Sequence, residues 1–228
     1  MESACAKCPF NNTDRICRKE EGGKYPVYCA TVNLQDILAK AREKYLDADV
    51  RLFAAQASRQ EASCYMPALN APGKTIPTKT RIQETAEFCQ RMKYQRIGLA
   101  FCGGVHAEAA MLVNILEAYG LEVVSIMCKA GGTCKEFLGL ADEDKIIPGR
   151  YETMCNPIGQ AMILNDEKTE FNLVMGLCVG HDSLFLRYSK AMCTVVAVKD
   201  RLLGHNPMAA LYTSYYAYLL EGDGSVKG

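Results

Sequence analysis

The second half of the chain alternates short apolar runs with stretches of helical periodicity, and this alternation limits the possible folds more than any other feature of the sequence. Residues 97–102 (IGLAFC) are apolar and are followed by two glycines, residues 106–119 repeat apolar positions at helical spacing, and residues 121–128 (LEVVSIMC) are apolar again. A strand, a helix and a strand in this order form a βαβ unit, which requires parallel strands and a right-handed crossover. We therefore predict a parallel sheet.

The alternation continues to the end of the chain. We predict further strands at 146–154, 171–178 and 194–198, with helices at 157–164, 183–191 and 207–220. Strands that alternate with helices of this length indicate an α/β domain with an open, doubly wound, mostly parallel sheet of the Rossmann-like type. We assign this domain to residues 96–228.

The first 95 residues have a different character and divide into two segments. Residues 1–32 are polar, rich in cysteine and interrupted by proline and glycine, so we predict a small knuckle organised by metal. Residues 33–95 are predicted to be a helical segment that packs on the core, because 33–64 and 78–94 have apolar positions at helical spacing. Residues 65–77 contain three prolines and a glycine and are predicted to form a loop.

The chain contains twelve cysteines, and their placement separates them into groups. Disulfides are rare in a reducing cytosol, so a chain this rich in cysteine is expected to bind metal or to carry out redox chemistry. Four cysteines lie in the polar N-terminal segment with the spacing C-x2-C-x8-C-x11-C: Cys5, Cys8, Cys17 and Cys29. We predict a metal site there, and the metal stays open between zinc and iron–sulfur because the spacing matches neither a zinc ribbon nor a ferredoxin.

A second group, the edge cysteines, falls where predicted strands end and helices begin: Cys102, Cys128, Cys155 and Cys178. The carboxyl ends of parallel strands open on one edge of the sheet, where ligands bind, and adjacent strands are about 4.8 Å apart. Gly103 and Gly104 let the main chain approach a cofactor closely. We predict a second metal site at this edge, with Cys134 as a reserve ligand. The remaining cysteines are predicted to fill the core: Cys64, Cys89 and Cys193.

His181 has the best case among the histidines for a functional role, because Cys178 precedes it by three positions and Asp182 follows it. It is a candidate metal ligand, a candidate hydrogen-bond donor to a ligand, or a candidate proton carrier. Catalysis by Cys178 activated by His181 is an alternative to metal binding. Lys199 and Arg201 follow the last predicted strand and are expected either to hold a small anionic ligand or to form a surface ion pair.

The charge balance and hydropathy argue against two classes of partner. Acidic and basic residues number 26 each, so the chain lacks the basic field that is typical of nucleic-acid-binding proteins. No apolar run is as long as a membrane span, and the first residues do not have the pattern of a signal peptide. We expect a cytoplasmic protein that has a redox protein or a small anionic molecule as its partner, while its oligomeric state stays open.

Several segments resemble a known family. These are TRIQETAEFCQRMKYQRIGLAFCGG, MCNPIGQAMILN, FNLVMGLCVGHDSLF and VKDRLLGHNPMAALY, together with the N-terminal CxxC and YPVYC motifs. They are similar, over nearly the whole chain, to a cysteine-rich prokaryotic family described as an uncharacterised metal-binding domain of unknown function. The resemblance implies metal binding, a cytosolic setting and a bias toward anaerobic prokaryotes, and it implies no particular reaction.

Three functions are compatible with these patterns. The first is an iron–sulfur protein that transfers electrons or reduces a small molecule at a cluster held by the edge cysteines. The second is a zinc-stabilised binding or adaptor protein in which the edge cysteines are simply buried. The third is an enzyme with Cys178 as its nucleophile and His181 as its base. We favour the iron–sulfur protein, and whether the protein is an enzyme stays open.

Overall fold

The computed structural model describes residues 2–216 and 220 of the 228-residue chain. The chain divides into two compact units, Met1–Ala62 and Ser63–Gly228, so the boundary falls inside the segment that was predicted to be helical. The first unit begins with two short 3-10 turns, Cys5–Lys7 and Ile16–Arg18. Three helices follow: α1 (Ala30–Asn33), α2 (Gln35–Lys44) and α3 (Ala48–Ser63), the last of which ends at the boundary.

The N-terminal unit has little hydrophobic burial. None of residues 2–59 is buried, and the large apolar side chains of α2 and α3 include exposed ones such as Ile37 and Leu52. Local hydrogen bonds define its elements instead. The Asp47 carboxylate, for example, accepts hydrogen bonds from the backbone N–H groups of Asp49 and Val50 at 3.0 and 3.1 Å and so caps the start of α3.

The second unit opens with a β-hairpin where a loop was expected. Strands β1 (Tyr65–Pro67) and β2 (Thr75–Pro77) pair antiparallel with Met66 opposite Ile76, so the loop prediction for 65–77 is wrong at both ends. Each proline is the last residue of its strand. Proline has no N–H to donate to a sheet, and it is tolerated at the ends and edges of short strands.

The rest of the second unit alternates helices and strands. Its elements are α4 (Arg81–Met92), β3 (Arg96–Phe101), α5 (His106–Ala118), β4 (Glu122–Met127), α6 (Pro157–Asp166), β5 (Phe171–Met175), α7 (His181–Tyr188), β6 (Met192–Ala197) and α8 (Met208–Tyr212). The last four strands form one parallel sheet in the order β4-β3-β5-β6. The described residues thus form a mixed α/β fold with eight α-helices, and the predicted α/β class and parallel sheet are confirmed.

Strand β3 is central to the core of the second unit. From Ile97 to Phe101 every residue of β3 is buried, and Phe101 lies opposite both Met127 of β4 and Met175 of β5. Helix α5 packs on β4, whereas α6 packs on β3, β4 and α7. Leu116 of α5, Leu164 of α6 and Phe185 of α7 have no exposed surface. This core fixes the positions of the carboxyl ends of the strands. Most of the edge cysteines lie directly beyond these ends.

The predicted strand at 146–154 is wrong. These residues lie in the long connection between β4 and α6, where Thr153 forms an isolated bridge with Cys134. Gly149 has a φ of +79° and follows Pro148, so the extended backbone is interrupted. Ile146 is 80% exposed. An apolar run becomes a strand when a neighbouring strand accepts its hydrogen bonds, and no strand of the described residues lies beside this one.

The last predicted helix, residues 207–220, is interrupted after Tyr212, and residue 220 is again helical. Helix α8 ends at Tyr212 because Thr213 has an extended backbone, and a 3-10 turn follows at Ser214–Tyr216. The remainder of the predicted helix includes residues 217–219, which lie outside the described residues. Within the described part of the chain, no helix combines the length and the apolar character needed to cross a membrane.

A close approach of β3, β5 and α6 occurs at Gly98. A Cβ atom at Gly98 would lie 2.1 Å from Oδ1 of Asn172 and 2.7 Å from Cδ1 of Leu164. Asn172 is fully buried, and its Oδ1 accepts a hydrogen bond from Oγ1 of Thr169 at 2.7 Å while its Nδ2 donates to Oγ of Ser189 at 2.8 Å. Because these bonds hold Asn172 in place, it cannot turn away from an added methyl group without losing them.

We therefore expect Gly98→Ala to lower the free energy of unfolding by about 1–3 kcal/mol, as overpacking of a core does. Urea denaturation followed by circular dichroism measures this. Gly104→Ala is the matched control, because a Cβ there would meet no atom closer than 3.5 Å and should change stability by less than about 0.5 kcal/mol. Equal stability of the two variants would contradict the close packing at Gly98.

Candidate functional site

The strand order creates a crevice beside β3. From β3 the chain crosses through α5 to β4 on one side, and it then returns through α6 to β5 on the other side. In open α/β sheets, ligands bind outside the carboxyl ends of the strands at the point where the direction of strand addition reverses. Cys102 follows β3 directly, and Cys178 follows β5 after two residues, so both lie on the edge that this rule selects.

Backbone hydrogen bonds bring three of the edge cysteines together. The N–H of Cys102 donates to the Met175 carbonyl at 3.1 Å, and the N–H of Cys128 donates to the Phe101 carbonyl at 2.9 Å, so both continue the sheet beyond its strands. The N–H of Asn156 donates to the Cys128 carbonyl at 2.7 Å, which places the neighbouring Cys155 beside Cys128. The predicted convergence of Cys102, Cys128 and Cys155 is therefore present in the structure.

The three thiols form a row with Cys128 in the middle. Cys128 is hydrogen-bonded to Cys155 on one side and interacts with Cys102 on the other. It is 2% exposed, whereas its two neighbours are partly exposed. The backbone N–H of Gly103 also donates to Sγ of Cys128 at 3.4 Å. Gly103, which was predicted to line a cofactor site, thus contacts a thiol of the row directly.

Cys128 and Cys155 share one proton unequally. The hydrogen bond from the Cys128 thiol is the largest influence on Cys155 and, with the electrostatic effects of Lys129 and His181, lowers the pKa of Cys155 to about 5 against the effect of burial. The same hydrogen bond and the desolvation of Cys128 raise the pKa of Cys128 far above its usual range. At neutral pH the pair is therefore a thiolate at Cys155 that accepts a hydrogen bond from a neutral thiol at Cys128.

At the other end of the row, Cys102 is stabilised as a thiolate by a backbone amide and a lysine. Burial acts to raise the pKa of Cys102, but the hydrogen bonds from the Gly104 N–H and the Lys199 ammonium outweigh it and lower the pKa. Lys199 extends between two glycines, since a Cβ at Gly104 or at Gly176 would lie 3.5 or 3.6 Å from its Nζ. Gly104 and Lys199 were both predicted for this edge, and here they contact the same sulfur.

Cys178 has a different partner from the one that the sequence suggested. Nη2 of Arg201 donates to Sγ of Cys178 at 3.0 Å, whereas His181 contacts Cys178 through its backbone N–H, which donates to the Cys178 carbonyl at 3.0 Å. The imidazole of His181 acts electrostatically on Cys155 instead. Nδ1 of His181 is buried and has no hydrogen-bond partner among the described residues. His181 therefore belongs to the Cys155 end of the site.

Asp200 stabilises the loop that carries Lys199 and Arg201. Its Oδ1 accepts the N–H groups of Leu202 and Leu203 at 3.1 and 2.9 Å, and its own N–H donates to Nδ1 of His205 at 3.1 Å. The Asp200 carboxylate thus closes a turn. Lys199 and Arg201, on either side of it, extend to the sulfurs of two different cysteines.

Two residues at this edge were not anticipated from the sequence. Gln160 of α6 has no exposed surface, and its Nε2 donates to the carbonyls of Phe101 and Ile126 at 3.2 and 2.7 Å, so it joins the ends of β3 and β4. Lys129 contributes positive charge at Cys155 and donates to the Thr153 carbonyl. Lys129 could have been predicted from the sequence, because it is a basic residue directly after a cysteine at the end of a strand. Gln160 could not, because nothing marks a glutamine inside an apolar helix as a residue of the site.

The remaining cysteines lie in several environments. Cys134, the predicted reserve ligand, pairs with Thr153 through its backbone and hydrogen-bonds to Glu136 through its thiol. Cys89 is fully buried and Cys193 packs against the core, in line with their predicted filler role, whereas Cys64 is only partly buried. Among the residues that the structure describes, no three histidine, cysteine, aspartate or glutamate side chains are arranged as ligands of one metal ion.

The fold and these contacts define an α/β protein with a row of thiols and basic side chains at the carboxyl edge of a parallel sheet. Residues 29–196 match the model of a family described as a protein of unknown function (DUF1847), and the chain belongs to this family. A relative, the uncharacterized protein MJ0455 of Methanocaldococcus jannaschii, is 44% identical over 189 residues, which cover 82% of this chain and 90% of that protein. The expected family membership is confirmed, and metal binding stays a prediction.

The region that the family model matches contains one of the two predicted metal sites and only a small part of the other. It contains all four edge cysteines and Cys29, whereas Cys5, Cys8 and Cys17 precede it. Lys199 and Arg201 follow it. The sheet-edge thiols therefore lie within the part of the chain that the family model describes, and most of the N-terminal set lies outside it.

We expect Cys155 to be the most readily alkylated of the partly exposed thiols in the second unit. Its thiolate persists above about pH 5, so its reaction with iodoacetamide should stay constant from neutral pH down to about pH 6 and fall as the pH drops through 5. Cys193 is the control, because burial raises the pKa of its thiol. At about pH 6 we expect Cys155 to react at least about tenfold faster, as measured by peptide mass spectrometry. Equal rates would contradict the proton sharing described above.

Proposed function

We propose that the protein is a metal-binding redox protein whose edge cysteines hold an iron–sulfur centre at the crevice beside β3. The observation that carries this proposal is the row of thiols Cys102, Cys128 and Cys155, hydrogen-bonded to one another at the end of a parallel sheet. We further infer that the sheet is doubly wound in the Rossmann-like manner, since strand addition reverses between β4 and β5 and right-handed crossovers then put α5 and α6 on opposite faces.

The donor set suits a soft metal. Iron–sulfur clusters are held by cysteine thiolates and zinc binds them well, and a thiol must lose its proton before it binds a metal. The pKa of Cys155 is lowered to about 5 and that of Cys102 is also lowered, so these two thiols give up their protons to a metal more readily than Cys128 does. Cys178 lies on the same edge as a fourth donor and is contacted by Arg201. An iron–sulfur centre there would accept and donate single electrons.

The surrounding groups support redox use more than a purely structural role. Lys129, Lys199 and Arg201 each act on a different cysteine of the edge, so they balance the negative charge of a thiolate-bound centre. The Gly103 N–H, which donates to Cys128, is the kind of hydrogen bond that raises the reduction potential of a cluster. Cys102, Cys155 and Cys178 are partly exposed, which leaves a path for a redox partner protein or a small anionic substrate. Such a thiol-rich site fits the reducing cytosol that we expect for the protein.

Elemental analysis of protein purified without oxygen tests the proposal. We expect iron and acid-labile sulfide in equal amounts, with visible charge-transfer absorption. Ser substitutions at Cys102, Cys155 or Cys178 should each lower the iron content, because each removes a thiolate donor. Cys193→Ser is the matched control: Cys193 lies in β6 and donates to the Ala191 carbonyl at 3.3 Å, a bond that serine can keep.

The same measurements separate the alternatives. Absence of iron, sulfide and visible absorption from the anaerobic protein would contradict the proposal. Zinc without iron, at one per chain and unchanged when Cys102 or Cys178 is replaced, would favour a zinc-stabilised binding or adaptor protein, with no redox role for the edge. Iron that persists in all three variants would contradict the assignment of the ligands.

The charge of Lys199 provides a second test. A cation beside the centre stabilises its reduced and more negative state, so Lys199→Met should lower the reduction potential by tens of millivolts. Redox titration monitored by visible absorption measures the shift. Lys190→Met is the control, because Lys190 is exposed and lies at the amino end of β6. Equal shifts in the two variants would show that Lys199 acts through net charge rather than by its position.

A second candidate function is a thiol-dependent enzyme, and one observation favours it. Cys155 has a lowered pKa, the buried Cys128 thiol beside it and an imidazole nearby whose Nδ1 has no partner among the described residues. These are the surroundings of a nucleophilic cysteine. In this form of the hypothesis the nucleophile is Cys155 rather than Cys178. Unchanged alkylation of Cys155 after His181→Ala would count against a role for the histidine as its activator.

A further inference from the structure

The N-terminal unit holds a definite backbone conformation without a hydrophobic core. None of residues 2–59 is buried, yet residues 4–29 form a series of hydrogen-bonded turns. A short segment that buries so little apolar surface needs another source of stability, and in small domains this source is a disulfide or a bound metal. All four cysteines of this segment are free thiols, of which Cys5 and Cys17 are exposed and Cys8 and Cys29 partly exposed.

A long-range hydrogen bond joins the two ends of this segment. The hydroxyl of Tyr28 donates to the Lys7 carbonyl at 2.6 Å. Lys7 precedes Cys8 and Tyr28 precedes Cys29, so this bond ties the last cysteine of the set to the CxxC turn. In that turn the Cys8 N–H donates to the Cys5 carbonyl at 3.2 Å. Three of the four cysteines therefore belong to chain segments that are held together.

Cys17 is linked to the same region through its neighbours. Nε of Arg15 donates to the Phe10 carbonyl at 2.8 Å, and the N–H of Ile16 donates to the Lys24 carbonyl at 3.2 Å. The two sides of this loop are in tight contact, since a Cβ at Gly23 would lie 2.6 Å from Cα of Ile16. These contacts hold the 3-10 turn that carries Cys17 near the chain that follows Cys8.

We propose that this segment is a structural zinc site in which Cys5, Cys8, Cys17 and Cys29 bind one Zn²⁺. Zinc favours four thiolates in a closed tetrahedral site, and such sites stabilise small domains that lack a core. Ligation requires the four side chains to turn toward one centre, which their exposure permits. A four-thiolate zinc site carries a net negative charge, and four of the basic residues of the segment lie within two positions of a ligand: Lys7, Arg15, Arg18 and Lys19. The proposed site uses none of the edge cysteines.

Metal analysis of the full-length protein tests this proposal separately from the iron–sulfur proposal. We expect one zinc per chain in the wild-type protein and its loss in Cys5→Ser/Cys8→Ser, while the iron content stays unchanged. Cys193→Ser is the control and should keep the zinc. The proposal is overturned if the wild-type protein lacks zinc, if iron takes its place, or if the double variant retains it. Loss of zinc from Cys102→Ser or Cys178→Ser would assign the zinc to the sheet edge instead.

Limited proteolysis of the wild-type protein gives a test that does not depend on a variant. Exposed trypsin sites lie within the proposed zinc segment at Arg18, Lys19 and Lys24, and Lys74 in the turn of the β-hairpin serves as an internal reference. A zinc chelator should speed cleavage at the three N-terminal sites relative to Lys74 by about tenfold or more, because metal removal unfolds such segments. Restored zinc should reverse this effect. Unchanged relative rates would overturn the structural role of zinc.

Discussion

The register of β3 against its two neighbours is the constraint on which the edge of the sheet depends. Phe101 lies opposite both Met127 and Met175, so Cys102 and Cys128 follow paired residues at the same level of the sheet. A shift of one residue would turn alternate side chains to the other face and separate the thiols. Gln160 reinforces this register from α6, since one amide group donates to the carbonyl of Phe101, the last residue of β3, and to that of Ile126, the penultimate residue of β4. The thiol row is thus a consequence of strand pairing and of one buried side chain.

The chemistry of the edge follows from how it accommodates negative charge in a partly buried place. A buried thiolate loses the solvation of water, which raises thiol pKa values as it does for Cys89, to about 12. At Cys102 and Cys155 this cost is offset by backbone amides, neighbouring thiols and the cations Lys199 and Lys129. The environment of Cys89 therefore differs from that of Cys102 and Cys155 in the hydrogen bonds that reach the sulfur. Reactive or ligating cysteines are distinguished from structural ones by these partners rather than by burial alone.

Much of the fold was predictable because it depends on local periodicity. The alternation of IGLAFC, an amphipathic stretch and LEVVSIMC predicted β3, α5 and β4, and each lies within a few residues of its expected position. The wrong secondary-structure predictions concern segments whose local sequence pattern did not match the pairing partners that the folded chain offers. Ile146 and Ile147 have strand-like character but no adjacent strand, and the pair Met66 and Ile76 forms a hairpin inside a proline-rich stretch that looked like a loop.

Residue order alone predicts that Cys102, Cys128, Cys155 and Cys178 come near the carboxyl edge of a parallel sheet, because strand ends and glycines can be recognised in the sequence. Which groups act on which sulfur depends instead on how the chain folds. Lys199 reaches Cys102, Arg201 reaches Cys178, and the imidazole of His181 acts on Cys155 rather than on the cysteine three positions before it. Side-chain direction at a helix start and the path of a loop such as the one braced by Asp200 depend on long-range contacts, which residue spacing does not encode.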